Sequence, residues 1–107
     1  MSCYVLASLL PAGMHPDIVA YLEGFDATLA PFGGRYLIHG GRKTALEGTW
    51  PGDIVLLEFP DRAAAEAWYA SPAYAELRPL RTRHLVGDVV MVDGVPENHR
   101  ATDILSS

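Results

Sequence analysis

Three short runs of this chain lack the alternation that a half-exposed strand shows. Val5-Leu6, Val55-Leu56-Leu57 and Val89-Val90-Met91-Val92 have the length and residue types of strands, yet none alternates apolar with polar. Strands of this kind are buried on both faces. A chain of 107 residues has too few helical segments to cover both faces of one sheet. The second cover is therefore expected from another copy of the chain, because a bare face would leave a large apolar patch in water.

The order of elements follows from local signals. The first strand is predicted over Cys3 to Leu10, bounded by Pro11-Ala12-Gly13. His15-Pro16-Asp17 opens a helix, with proline at the first helical position and an acid at the positive end of the dipole. Ile18, Leu22, Phe25 and Leu29 form its apolar stripe, Pro31 ends it, and Gly33 or Gly34 supplies a left-handed cap. A second strand starts at Arg35 and passes through Gly40-Gly41, expected as a bulge, into Lys43 to Glu47. Gly48-Thr49-Trp50-Pro51-Gly52 is the turn into a third strand, Asp53 to Phe59. Asp61 caps a helix carrying Ala64, Ala65, Trp68 and Tyr69, and Ser71-Pro72 restarts it through Tyr74, Leu77 and Leu80 or Arg81. Gly87 to Val92 is the last strand, and a polar tail with Ile104-Leu105 follows.

The resulting βαββαβ order specifies an α+β, ferredoxin-like plait, an antiparallel sheet with its helical segments on one face. Two such sheets packed through their free faces make a dimer with a barrel-like centre. The whole is one domain over residues 1–95, with a polar C-terminal tail over 96–107.

Gly33-Gly34-Arg35-Tyr36, Gly40-Gly41-Arg42, Leu46-Glu47-Gly48, Glu58-Phe59-Pro60 and Trp68-Tyr69-Ala70-Ser71-Pro72-Ala73-Tyr74 are the most specific stretches. In these the chain resembles the bacterial family called domain of unknown function 1330, within the dimeric α+β barrel superfamily. The resemblance runs from about Tyr4 to Val95 and implies the fold and the homodimer. It implies little about activity. Related barrel families include cofactor-free monooxygenases, lactone isomerases, haem-dependent enzymes and stress-response proteins, which are analogies at the level of fold.

Composition narrows the partners. Half of the residues are apolar, ample for a core, and the apolar runs are too short for a transmembrane helix. Met1-Ser2-Cys3-Tyr4 has no basic region ahead of an apolar one, so no signal peptide is expected. A single cysteine, Cys3, cannot form an internal disulfide, and a reducing, cytoplasmic setting is the expectation. A net charge of −5 argues against nucleic acid, which needs a basic surface. No cofactor fingerprint is present, and Gly33-Gly34 follows a helix, where capping explains it.

Each candidate for chemistry has a plain structural reading beside it. None of His15, His39, His84 and His99 lies two or four residues from another, so no metal site is expected. His39 stands on an apolar strand ahead of two glycines; it is either a hydrogen-bonded edge residue or a general acid/base. Arg42 and Glu58 each lie eight residues from Trp50, so they are expected as cross-strand neighbours, an ion pair or a polar clamp at a pocket mouth. Trp68 reads as core, and Tyr69 is rotated so that its hydroxyl could reach a cleft beneath the alanine-rich helix. Arg78, Arg81, Arg83 and His84 read as a solvated helix end rather than an anion site. Two functions follow. One is a homodimeric protein that binds a small, partly apolar metabolite between helices and sheet, with Arg42 and Tyr69 as ligand contacts. The other is a cofactor-independent monooxygenase or isomerase that uses His39 or Glu58 as acid/base.

Overall fold

The valine-, leucine- and isoleucine-rich runs form the strands expected of them, and the prolines and polar caps set where the helices begin. A computed structural model describes residues 1–10 and 13–106; Pro11 and Ala12 of the expected first turn lie outside the described residues, as does Ser107 of the tail. The elements are β1 (Cys3–Leu9), α1 (Pro16–Leu29), a single 3-10 turn (Ala30–Phe32), β2 (Arg35–His39), β3 (Asp53–Phe59), α2 (Arg62–Ala70), α3 (Pro72–Thr82) and β4 (Gly87–Asp93). A further 3-10 segment, Ala101–Ser106, lies in the tail. The sheet is antiparallel with strand order β2-β3-β1-β4, the split βαβ arrangement of a ferredoxin-like α+β plait.

Helix starts are built from polar side chains. Asp61 Oδ1 accepts the Ala64 N–H at 2.8 Å, and Ser71 Oγ accepts the Tyr74 N–H at 3.3 Å while donating to the Trp68 carbonyl at 2.7 Å. Ser71 thus ends α2 and starts α3. At α1 the cap is His15, whose Nδ1 accepts the Asp17 N–H at 3.0 Å. The chain leaves α1 through Gly33, whose φ of 69° is the left-handed conformation that glycine permits. Gly34 is required for a different reason: a Cβ there would sit 2.6 Å from the Phe59 ring.

The register divides the sheet into two unlike faces. Cys3, Val5 and Ala7 pair with Phe59, Leu57 and Val55, and on the other side with Asp93, Met91 and Val89. These residues point toward the helices. Tyr4, Leu6 and Ser8 pair with Glu58, Leu56 and Ile54, and with Val92, Val90 and Asp88, on the open face. The aromatic heart of the covered face is Phe25, Trp68 and Tyr74, with Trp68 at 4.3 Å from Tyr74 and edge-on to Phe25 at 5.8 Å between ring centroids.

Three expectations are corrected. The bulge lies between Tyr36 and Ile38 rather than at Gly40-Gly41. It changes the alternation of β2, so that Tyr36 and His39 both align with covered-face residues, Leu57 and Val55, while Ile38 aligns with Leu56 on the open face. Lys43 to Glu47 forms no strand. Gly40 turns left-handed (φ 65°) after donating to the Ile54 carbonyl at 2.8 Å, and β3 begins at Asp53, so the β2–β3 ladder ends there and residues 43–47 join no strand among the described residues. Lys43 Nζ instead donates to the Gly52 carbonyl at 2.7 Å and ties the loop across its base. On α1, Tyr21 rather than Leu22 is buried, because its hydroxyl finds a partner on α3.

Candidate functional site

Helix α1 does not close down fully on the sheet. Beneath it lies a cavity of about 430 Å³, within the range of small-molecule sites. Its floor is a row that crosses all four strands, His39–Val55–Ala7–Val89, extended inward by Leu57 and Val5. Ile18, Tyr21 and Phe25 of α1 form the roof, and Trp68, Tyr74 and Arg81 close the far side. The walls are overwhelmingly apolar, which makes the few polar groups informative.

Those polar groups have definite partners. The Tyr21 and Tyr74 hydroxyls are 2.8 Å apart and buried. Burial, reinforced by the neighbouring Tyr74 hydroxyl, pushes the Tyr21 phenol far above its ordinary value. Arg81 is only 8 % exposed, lies beside these hydroxyls, and has its guanidinium carbon 5.9 Å from the centre of the Tyr21 ring. Burial pulls the Arg81 guanidinium downward, but the Tyr74 and Tyr21 hydroxyls outweigh it and the net shift is upward. Tyr36 is pushed up to about 12, chiefly by burial. Its ring stacks on His39 at 4.5 Å. The Trp68 indole donates to Thr28 Oγ1 at 3.0 Å, and that hydroxyl donates to the Phe25 carbonyl at 2.7 Å. The indole is therefore satisfied by α1 and needs nothing from the cavity.

The residues singled out from sequence do not converge. His39 lines the cavity and is exposed. Glu58 is on the opposite face of the sheet. Its cross-strand partner is Arg35, not Arg42: Arg35 Nη2 and Nε lie 2.6 and 2.8 Å from Glu58 Oε1, and Tyr4 donates to Oε2 at 3.3 Å. The Arg35 hydrogen bond holds the Glu58 carboxyl below the usual carboxylate range. Counting outward from Trp50 failed because the segment after Gly40 does not pair. Arg42 lies in that exposed segment, away from the cavity lining. Tyr69 is 37 % exposed, packs against Trp68 and Tyr74 outside the cavity, and lies under Arg78 at 4.7 Å. Alanine-rich α2 leaves no space of its own, since Ala65 is fully buried; the cavity is under α1 instead.

Two features escaped the sequence reading. Arg81 belongs to the site rather than to a solvated helix end. A signal existed: Arg81 is seven residues from Tyr74 and so shares its helix face. The second is a cluster of His15, Asp17 and His84, whose potential ligand atoms lie within 4.8 Å of one another. The two rings stack at 3.8 Å, and His84 Nε2 meets Asp17 Oδ2 at 2.8 Å, holding the Asp17 carboxyl below its ordinary range. It joins the start of α1 to the chain just past α3 across 67 residues, a separation that no local spacing rule detects.

The family described as "Domain of unknown function (DUF1330)" matches residues 2–95, and the chain belongs to it. No curated protein matches. Among solved structures, the chain is similar to RPA0582, a protein of unknown function from Rhodopseudomonas palustris, at 18 % identity and a TM-score of 0.68, covering 89 % of this chain and 83 % of that one. A dimeric ferredoxin-like protein of unknown function from Jannaschia sp. CCS1 gives 16 % identity and a TM-score of 0.59 over 88 % of this chain and 100 % of that one. SnoaB from Streptomyces nogalater, a cofactor-independent oxygenase, gives 11 % identity and a TM-score of 0.57 over 92 % and 98 %. At these identities the likeness establishes the fold. Among the described residues, no helix is long and apolar enough to cross a membrane.

Proposed function

We propose that this chain is a homodimeric binding protein that holds a small, partly apolar metabolite between α1 and the sheet. The observation that carries the reading is the cavity of about 430 Å³, apolar in its walls and polar at only a few points, among them His39, Tyr21, Tyr74 and Arg81. The dimer is supported by the open face, where Leu6, Ile38, Leu56, Val90 and Val92 stand together in register, Val90 and Val92 each about half exposed. The dimeric ferredoxin-like protein from Jannaschia is consistent with such pairing. A second reading, a cofactor-independent enzyme, is favoured by one observation: His39, an ordinary acid/base side chain, lines the cavity. SnoaB, of the same fold, is an oxygenase of that kind. In this reading His39 is the acid/base, and Glu58, held by Arg35, serves the dimer face.

A thermal-shift screen of metabolites on the wild type, repeated on His39→Ala and Glu58→Gln, tests both readings. A ligand at 100 times its Kd stabilises by about 2.7 kcal/mol. The expected result is a hit weakened by His39→Ala and untouched by Glu58→Gln. A hit indifferent to His39→Ala and lost in Glu58→Gln would move the site to the other face. Turnover abolished in His39→Ala with binding retained would favour the enzyme.

A further inference from the structure

The apolar cavity has a cation in its wall. Arg81 is more than nine-tenths buried, yet among the described residues it makes no ion pair. Its polar neighbours are the hydroxyls of Tyr74 and Tyr21. Asp53 also lines the cavity, but it is exposed at the start of β3 and forms no ion pair with Arg81. Buried charges in proteins are normally paired, because the loss of hydration otherwise costs several kcal/mol. An aromatic face and two hydroxyls offset part of that cost. They leave the guanidinium without a counter-charge among the described residues, in the wall of a ligand-sized cavity.

We infer that the cavity selects small organic carboxylates, with Arg81 as the carboxylate-binding residue and the Tyr21–Tyr74 hydroxyl pair beside it. This rests on the proposed use of the cavity as a binding site and names the class of compound it takes. The fork of a guanidinium fits a planar carboxylate through two parallel hydrogen bonds. A hydroxyl of the tyrosine pair can rotate to donate to the same oxygens. Charge decides between carboxylate and phosphate. One arginine matches one negative charge, whereas a phosphate monoester brings about −1.5 to −2 into a site with no second buried cation among the described residues. The remaining walls, Ile18, Phe25, Val55 and Leu57 among them, suit an aromatic or aliphatic body. An acidic chain of net charge −5 gains nothing from long-range attraction to an anion, so selection must come from the local contact.

The experiment compares 4-phenylbutyrate with 4-phenylbutanol by calorimetric titration of the dimer or monomer as purified. The two probes share a body and differ in the charged head. Wild type should bind the acid at least about tenfold more tightly than the alcohol, the usual worth of a charge-assisted hydrogen bond. Arg81→Met, with a stem of similar length and no charge, should bind both probes alike. Arg81→Lys, which keeps the charge without the fork, should retain part of the preference, and it provides the comparison where Arg81→Met fails to fold. Equal binding of acid and alcohol to wild type would overturn the carboxylate assignment and leave the cavity reading standing. So would a preference that persists undiminished in both variants. Failure of both probes to bind wild type would overturn the two readings together.

Discussion

The two faces of one sheet, built from the same four strands, have been put to opposite uses. On the covered face, side chains from β1 and β3 meet α1, α2 and α3 and make a closed aromatic core with a cavity beside it. On the open face stand further apolar residues, Leu6 and Leu56 part-buried at the centre, and Val90 and Val92 about half exposed toward one edge. Alternation along each strand is what separates the two sets, and apolar residues fill both. Strand sequence therefore reports how many faces are apolar, while the helices decide which face this chain covers itself. Polar residues follow the same division: those facing α1 line a pocket, and those on the open face, Tyr4, Arg35 and Glu58, bond to one another.

The sharpest way to break this contrast is to place a charge at the centre of the open face. Leu56→Asp should convert a dimer to monomer at micromolar concentration, since a two-fold interface repeats the change and each buried, unpaired carboxylate costs several kcal/mol. Sedimentation of the wild type should show a dimer whose interface buries at least about 1,200 Å². A monomeric wild type would remove the assigned role of that face.

On the covered face, Trp68→Ala should lower stability by about 3–5 kcal/mol, read from denaturant unfolding. It deletes the centre of the aromatic cluster and leaves Thr28 Oγ1 without the indole donor. A loss below about 1 kcal/mol would show that the cavity wall collapses to fill the gap.

The glycine pair after β2 separates conformation from space. Neither glycine has a neighbour within 4 Å of a built Cβ, but Gly40 alone has a positive φ, 65°. Gly40→Val should cost about 1–3 kcal/mol and Gly41→Val close to nothing, measured as a difference in melting temperature. Equal effects would mean that the positive φ of Gly40 does not set the cost.

The smallest effect is expected at Glu58. Its folded pKa is depressed, first by the Arg35 hydrogen bond, so its contribution is present above the unfolded carboxylate pKa and fades as pH falls through the folded value. Glu58→Gln should therefore be slightly less stable than wild type near neutrality, and the gap should close in acid. A gap that widens on acidification would contradict the pairing with Arg35.

Much of this architecture was legible in the residues. Ser71-Pro72 marked the break between two helices, Asp61 the start of one, Pro31 and Gly33 the end of another, because caps and prolines act within a few residues of themselves. The doubled apolar strands gave the two-faced sheet. The candidate site was far less legible. His39 was placed on the cavity only because a bulge between Tyr36 and Ile38 resets the pleat, and no glycine or other local marker announced it. The expected Arg42–Glu58 neighbours depended on a hairpin register that the loop after Gly40 abolishes; Arg35 took the position instead.

What the sequence by itself determined was most of the segments that become strands and helices, most of their ends, and that both faces of the sheet carry apolar residues. These depend on interactions between residues a few positions apart and on hydrophobic period. Which polar groups share a cavity was decided only in the tertiary structure. Tyr21 meets Tyr74 across 53 residues, and Arg81 joins them because α3 packs along α1 and carries one face of its turn toward the sheet. Such meetings depend on how helices seat on a twisted sheet and on a single bulge, and these have no fixed spacing along the chain.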